Sequence, residues 1–261
     1  MFEPLHSCGA AFFSCKQSWP ELEDYARLIA AMPAPVTTSS GLPIRFVSPG
    51  SHSSPHPSSY EAHIHLTGEV ETRAENWHDL FNALTWLTFP KTKAALNARH
   101  ATALEQQAKC QQRNRERDML TLFDESGVIV ACAEPTLAVM LKNHYWVDLF
   151  WRQRIKVIAQ MKFYLFGHAL YEKALQPYPG MTGKGLVLPV AAAFFKLPAA
   201  QQIVAVDGAL ANYFSNPTAH RLRQDFSPIP VLGVPGWWPD NEVESYYQNT
   251  HYFRPLKTPP P

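Results

Sequence analysis

An α+β fold in a single mixed domain, with helices packed on a small, largely antiparallel sheet, is the class that this sequence predicts. Three observations lead there. Helices are read over about 76–89, apolar around most of its circumference, over 91–109, built of good helix formers, and over 199–214, opened by Pro198. Shorter runs between them alternate, or stay continuously apolar between turn residues, as strands do. With 261 residues, 46% of them hydrophobic, the chain can bury a substantial core, while 23 prolines point to many loops.

Taken in order, the chain opens with a segment, 1–58, that reads as an N-terminal extension. It holds one helix over Trp19–Met32, then a run over Pro33–Pro57 crowded with Pro, Ser and Gly, in which Ile44–Val47 forms one short strand. The main domain, 59–261, begins with Tyr60–Arg73, read as a hairpin turning at Thr67-Gly68 and placing His63 and His65 on one strand face. Asn76–Phe89 is apolar around most of its circumference, as expected of a helix buried on several sides. Pro90 interrupts it, and Lys91–Lys109 resumes as a second helix, with the proline near its first turn.

Arg113–Asp118 reads as a charged connector, with Lys109, Arg113, Arg115 and Arg117 forming a basic run. Met119–Phe123, Asp124–Gly127 and Val128–Ala131 read as strand, turn and strand. Thr136–Arg154 is expected to be helical, whereas Ile155–Phe166 fits either a strand that enters a helix at Gly167-His168 or the middle of a long helix. Leu186–Val190 has the character of a buried strand, and Ala199–Phe214 that of a helix opened by Pro198. After Phe226 a proline-rich tail is expected to wrap the body through Trp237, Trp238, Tyr246, Tyr247 and Phe253.

Charge and cysteine usage exclude several function classes. Lys+Arg 23 against Asp+Glu 22 gives a net charge of +1, so no global field announces nucleic acid or an anionic membrane. Cys8, Cys15, Cys110 and Cys132 form no disulfide scaffold and no CxxC zinc pattern, which suggests a reducing, cytoplasmic setting. No apolar run is long enough for a membrane span and no signal segment is evident, so no membrane partner is expected. The glycines Gly180, Gly183 and Gly185 lack the spacing of a nucleotide-binding loop.

Polar residues inside apolar helices carry the functional signal, because burying them is costly unless they are paired. His78, Asp79 and Asn82 lie together on the first buried helix, and Lys93, Asn97 and His100 form an i, i+4, i+7 stripe on the second. His168 and Glu172 make a further i, i+4 pair. The expected assignment gives His78, Asp79, His168 and Glu172 catalytic roles, with a histidine as general base and a carboxylate orienting it. Asn82, Lys93, Asn97 and Arg117 are assigned to substrate binding, and His78, His100 and His168 to a divalent metal as candidate cofactor. The function expected is a hydrolase-type enzyme, metal-assisted, acting on a small anionic or phosphate-bearing ligand or on nucleic acid. The alternative is a binding or scaffold protein whose polar cluster is a structural hydrogen-bond network.

One resemblance adds to this reading. Thr72-Arg73, Asn76-Trp77-His78-Asp79-Leu80-Phe81-Asn82, Thr88-Phe89-Pro90-Lys91-Thr92-Lys93, Asn97-Ala98-Arg99-His100, Arg117-Asp118, Gly167-His168-Ala169-Leu170-Tyr171-Glu172-Lys173 and Leu232-Gly233-Val234-Pro235-Gly236-Trp237-Trp238 follow in an order that resembles the bacterial domain-of-unknown-function family DUF3025. The likeness covers about Tyr60–Pro255. It implies a cytosolic bacterial protein and supplies no reaction, cofactor or catalytic residue. His63 and His65 are outside the resembling pattern.

Overall fold

A computed structural model describes residues 1–13, 18–50, 59–110, 115–216 and 222–256. The elements run α1 (His6–Phe13), α2 (Leu22–Ala30), β1 (Arg45–Val47), α3 (Tyr60–Thr67), β2 (Glu69–Glu71), α4 (Trp77–Thr88), α5 (Pro90–Cys110), α6 (Arg115–Ser126) and β3 (Gly127–Cys132). They continue with α7 (Pro135–Lys142), α8 (Arg154–Gln160), β4 (Met161–Leu165), α9 (His168–Lys173), β5 (Thr182–Pro189), α10 (Ala199–Ser215), α11 (Leu222–Asp225) and β6 (Phe226–Pro230). The α+β class holds: helices pack on a four-stranded sheet in the order β4-β3-β5-β6, and β1 and β2 form a separate parallel pair.

Two of the three pairings in the larger sheet are antiparallel, β3 with β4 and β5 with β6, and the central β3–β5 pairing is parallel. Every residue of β3 is buried, the pattern of a strand covered on both faces. Its side chains alternate between two cores. Val128 and Val130 belong to one core with Leu80, Leu84, Leu5 and Phe253, while Ile129 and Ala131 belong to the other with Leu120, Phe123 and Leu210. Pro228 and Pro230 are accommodated because β6 is an edge strand. Leu5, Tyr25 and Ile44 from the first segment share the core of α4, and so do Tyr247 and Phe253 from the C-terminal wrap.

Three local expectations are corrected. Tyr60–Arg73 is a helix followed by a strand: the Ser59 side chain accepts from the Ala62 amide, and Gly68 ends α3 at φ 73°, a left-handed C-terminal cap. His63 and His65 therefore share no strand face, and buried His63 bonds to Glu69 at 3.1 Å. Residues 115–126 form one helix that runs directly into β3, so Asp124–Gly127 is no hairpin turn. The Thr136–Arg154 helix breaks after Lys142, where His144 takes φ 58°. For Ile155–Phe166 the strand alternative holds over Met161–Leu165. Position 113 of the basic run, and 14–17 and 51–58 of the first segment, the cysteine at 15 among them, lie outside the described residues.

Candidate functional site

The sheet register builds the site. Val128 at the start of β3 pairs with Leu165 at the end of β4, so the last turn of α6, just before β3, meets the first turn of α9, just after β4. The amides of Phe166 and Gly167 both donate to the Gly127 carbonyl at 3.0 Å, which fixes the crossing. Asp124 and His168 are thereby brought together. From the other side α4 packs on α9: its N-cap Asn76 accepts from the Asp79 amide at 3.0 Å, leaving His78 in the first helical turn beside His168.

A continuous polar line results. His78 Nδ1 lies 3.2 Å from Glu172 Oε2, and His78 Nε2 lies 3.0 Å from His168 Nε2. His168 Nδ1 faces the Asp124 carboxylate at 3.5 Å, longer than a well-formed hydrogen bond. Lys93 Nζ donates to both Asp124 oxygens, at 2.7 and 2.9 Å, and to Asn82 Oδ1 at 3.0 Å. Asn82 Nδ2 donates to Tyr60 Oη at 3.0 Å.

Electrostatics divides this line into an inner and an outer part. Burial holds the His168 imidazole down at about 4, even with the Asp124 carboxylate beside it, so His168 is neutral near pH 7. Burial opposes ionisation of Asp124, but the Lys93 ammonium bonded to it outweighs that, and the carboxyl lies below its usual range. Two facing ring nitrogens need one proton between them. With the single proton of His168 on Nδ1, toward Asp124, its Nε2 accepts from His78. On its other side His78 Nδ1 meets Glu172, and with 36% of its side chain exposed His78 connects the buried His168–Asp124 contact to the cavity.

A cavity of about 500 Å³ opens over this line, within the size range of small-molecule sites. Of the residues expected in the site, His78, Asp79, Asn82, Arg117 and His168 line it, and Glu172 reaches it through His78. Asp79 is held by Arg73, whose guanidinium makes a bidentate pair at 2.8 and 2.9 Å and whose backbone amide adds a third bond. Burial raises the Asp79 pKa, but these bonds prevail and hold the carboxyl below its ordinary value. Asp79 therefore anchors the loop before α4 rather than orienting a histidine.

Other assignments are corrected by position. Lys93 is 5% exposed and its donors are consumed by Asp124 and Asn82, so it is no substrate-binding group. Asn97 turns its amide to the backbone carbonyl and side chain of Glu61, at 2.8 and 2.7 Å, and does not line the cavity. His100 is buried outside the lining, with burial pushing its pKa down. The triad His78, His100 and His168 does not fit a metal: among the described residues no three His, Cys, Asp or Glu side chains converge to hold one. The anion expectation also meets an unfavourable lining, since among the described residues five carboxylates, Glu61, Glu71, Asp79, Asp124 and Glu125, share it with two guanidiniums, Arg73 and Arg117.

Tyr60, Arg73 and Asp124 were absent from the expected site. For Asp124 a signal was present: Arg117, Thr121 and Asp124 make an i, i+4, i+7 stripe of the kind recognised on α5, and all three line the cavity. A second hollow of about 480 Å³, beside Ala95, Arg99 and Phe214, holds an Arg99–Glu116 ion pair and no histidine.

No curated protein and no solved structure matches the chain. The family model described as "Protein of unknown function (DUF3025)" matches residues 44–257, a span that contains every residue of the polar line and the cavity. The chain belongs to the DUF3025 family.

Proposed function

We propose that this protein is a hydrolase-type enzyme in which His78 moves protons for a neutral or cationic substrate held in the cavity. The observation that carries the reading is the 3.0 Å Nε2–Nε2 contact between an exposed and a buried histidine on the cavity wall, the buried one facing Asp124. In the proposed reaction His78 Nδ1 exchanges its exposed Glu172 partner for a water in the cavity and takes a proton from that water as the water oxygen bonds to the substrate's electrophilic atom. Nδ1 then gives that proton to the leaving group as the scissile bond breaks. His168 holds the ring through Nε2, Asp124 sets the His168 tautomer, and Glu172 holds Nδ1 until the water takes its place. The excess of carboxylates disfavours phosphate and nucleic-acid substrates. The bacterial cytoplasm is the proposed setting, supported by sparse cysteine usage and by the family resemblance. Among the described residues no helix is long and apolar enough to cross a membrane.

The scaffold alternative is favoured by one observation. Lys93, Asp124 and Asn82 satisfy one another and join α4, α5 and α6. The two readings part at His78, whose exposure a purely structural network does not require.

Hydrolysis of p-nitrophenyl acetate, an amino-acid p-nitroanilide, a p-nitrophenyl glycoside and p-nitrophenyl phosphate tests the proposal. Wild-type protein should hydrolyse at least one of the first three, and His78→Ala should lose about 100-fold or more of that rate with its thermal midpoint retained. Absence of all hydrolysis, or a rate unaffected by His78→Ala, overturns it.

A further inference from the structure

Lys93 determines the orientation of a group that it does not touch. An ammonium only donates, and this one donates to the two oxygens of Asp124 and to Asn82. The Asn82 amide must therefore turn its oxygen to Lys93 and its nitrogen to Tyr60, where that nitrogen donates to Oη at 3.0 Å. A phenol oxygen that receives this bond keeps its own proton for another acceptor. Among the described residues none takes it. Tyr60 lines the cavity, 42% exposed as a residue, with its hydroxyl end enclosed beside Asn82. Enclosure, with the Glu61 and Asp124 charges near it, pushes the phenol well above its ordinary pKa and keeps it a donor.

We infer that Tyr60 donates its phenolic hydrogen bond to a carbonyl oxygen of the ligand, so that the substrate class is an uncharged or cationic acyl compound. The inference rests on reading the cavity as a substrate site. It adds to His78 a second group on the same wall: one moves the proton, the other holds the oxygen on which negative charge develops. The Lys93 charge, passed through the Asn82 amide, polarises the Tyr60 hydroxyl, since bonds in such a chain strengthen one another. Asn82 is the positioning residue of this arrangement.

Binding of N-methylpyrrolidone, a neutral amide with an acceptor oxygen and no donor, tests the donor without any turnover. Titration followed by protein NMR should place the probe in the cavity of the wild type and show affinity about five- to tenfold weaker for Tyr60→Phe. The carboxylate introduced by Asn82→Asp only accepts, so it should turn the Tyr60 proton inward and cause a similar loss while the phenol is still present. Equal affinity in wild type and Tyr60→Phe, or no wild-type binding at millimolar probe, overturns the inference. Tyr60-dependent binding with none of the p-nitrophenyl and p-nitroanilide substrates hydrolysed would support the donor and remove the enzyme. Hydrolysis without Tyr60-dependent binding would overturn the donor alone.

Discussion

Gly167 lies so close to the backbone of Glu125 that a Cβ at this position would sit 2.5 Å from the Glu125 carbonyl carbon, and as close to the Gly127 amide nitrogen. Its φ of −61° is open to any residue, so contact rather than conformation demands glycine here. This approach sets the distance between His168, one residue on, and Asp124, one residue before Glu125. Gly167→Ala should cost about 3 kcal/mol in urea denaturation, because rigid backbone on both sides has to move. A variant as stable as the wild type would show that the α6–α9 junction is looser than the register implies.

The Lys93–Asp124 pair should behave as a buried ion pair whose members need each other. Lys93→Met leaves the Asp124 carboxylate buried without its ammonium and should cost about 3 to 5 kcal/mol at pH 7. Combining it with Asp124→Leu should recover much of the loss, since two apolar groups leave no buried charge behind. Additive losses in the double variant, again by urea denaturation, would contradict the coupling.

Stability should fall in mildly acidic solution because of His168. In the folded chain burial holds it at about 4, whereas in the unfolded chain it titrates near about 6.5. Between those values the unfolded state binds the extra proton. Stability is therefore full above about pH 6.5 and is lost progressively as pH falls toward 4. His100, lowered by burial, acts with the same sign. Asp124 works in a more acidic window, stabilising above the ordinary carboxylate range and losing its contribution as pH falls through its depressed folded value. Urea midpoints taken from pH 7 to pH 4.5 should decline for wild type, and His168→Gln should remove a part on the order of 3 kcal/mol of that slope. Parallel profiles for the two proteins would contradict the assignment.

Much of this architecture is legible in the residues, and the parts that are not share a cause. The helices around Leu80–Leu87, Ala94–Ala103 and Val206–Phe214 are long enough for their spacing to identify them, and polar groups set among apolar ones on the first two mark His78, Asn82 and Lys93. Glu172 and His168 stand out for the same reason. Short segments are harder. Around Met119–Phe123 the apolar residues fit a strand as well as a helix, and Asp124-Glu125-Ser126-Gly127 carries turn chemistry although Asp124–Ser126 is the last turn of a helix that runs directly into β3. Reading α6 as a strand hides Asp124, because its stripe with Arg117 and Thr121 exists only at helical spacing. Tyr60 is hidden in the same way, although Ser59 and Gly68, the residues that flank α3, supply both of its caps. The direction of Asn82 is legible only once Lys93 is seen to touch it.

The bond between His78 and His168 is the centre of the account, and NMR of the imidazole nitrogens in protein labelled with nitrogen-15 tests it most directly. At pH 7 one of the two Nε2 atoms should be protonated and the other should carry a lone pair, with coupling across the 3.0 Å contact. His78→Gln should abolish that coupling and leave His168 neutral. Two protonated Nε2 atoms, or two lone pairs, would mean that no proton is shared between the rings, and the proposed relay from Asp124 to the cavity would be contradicted.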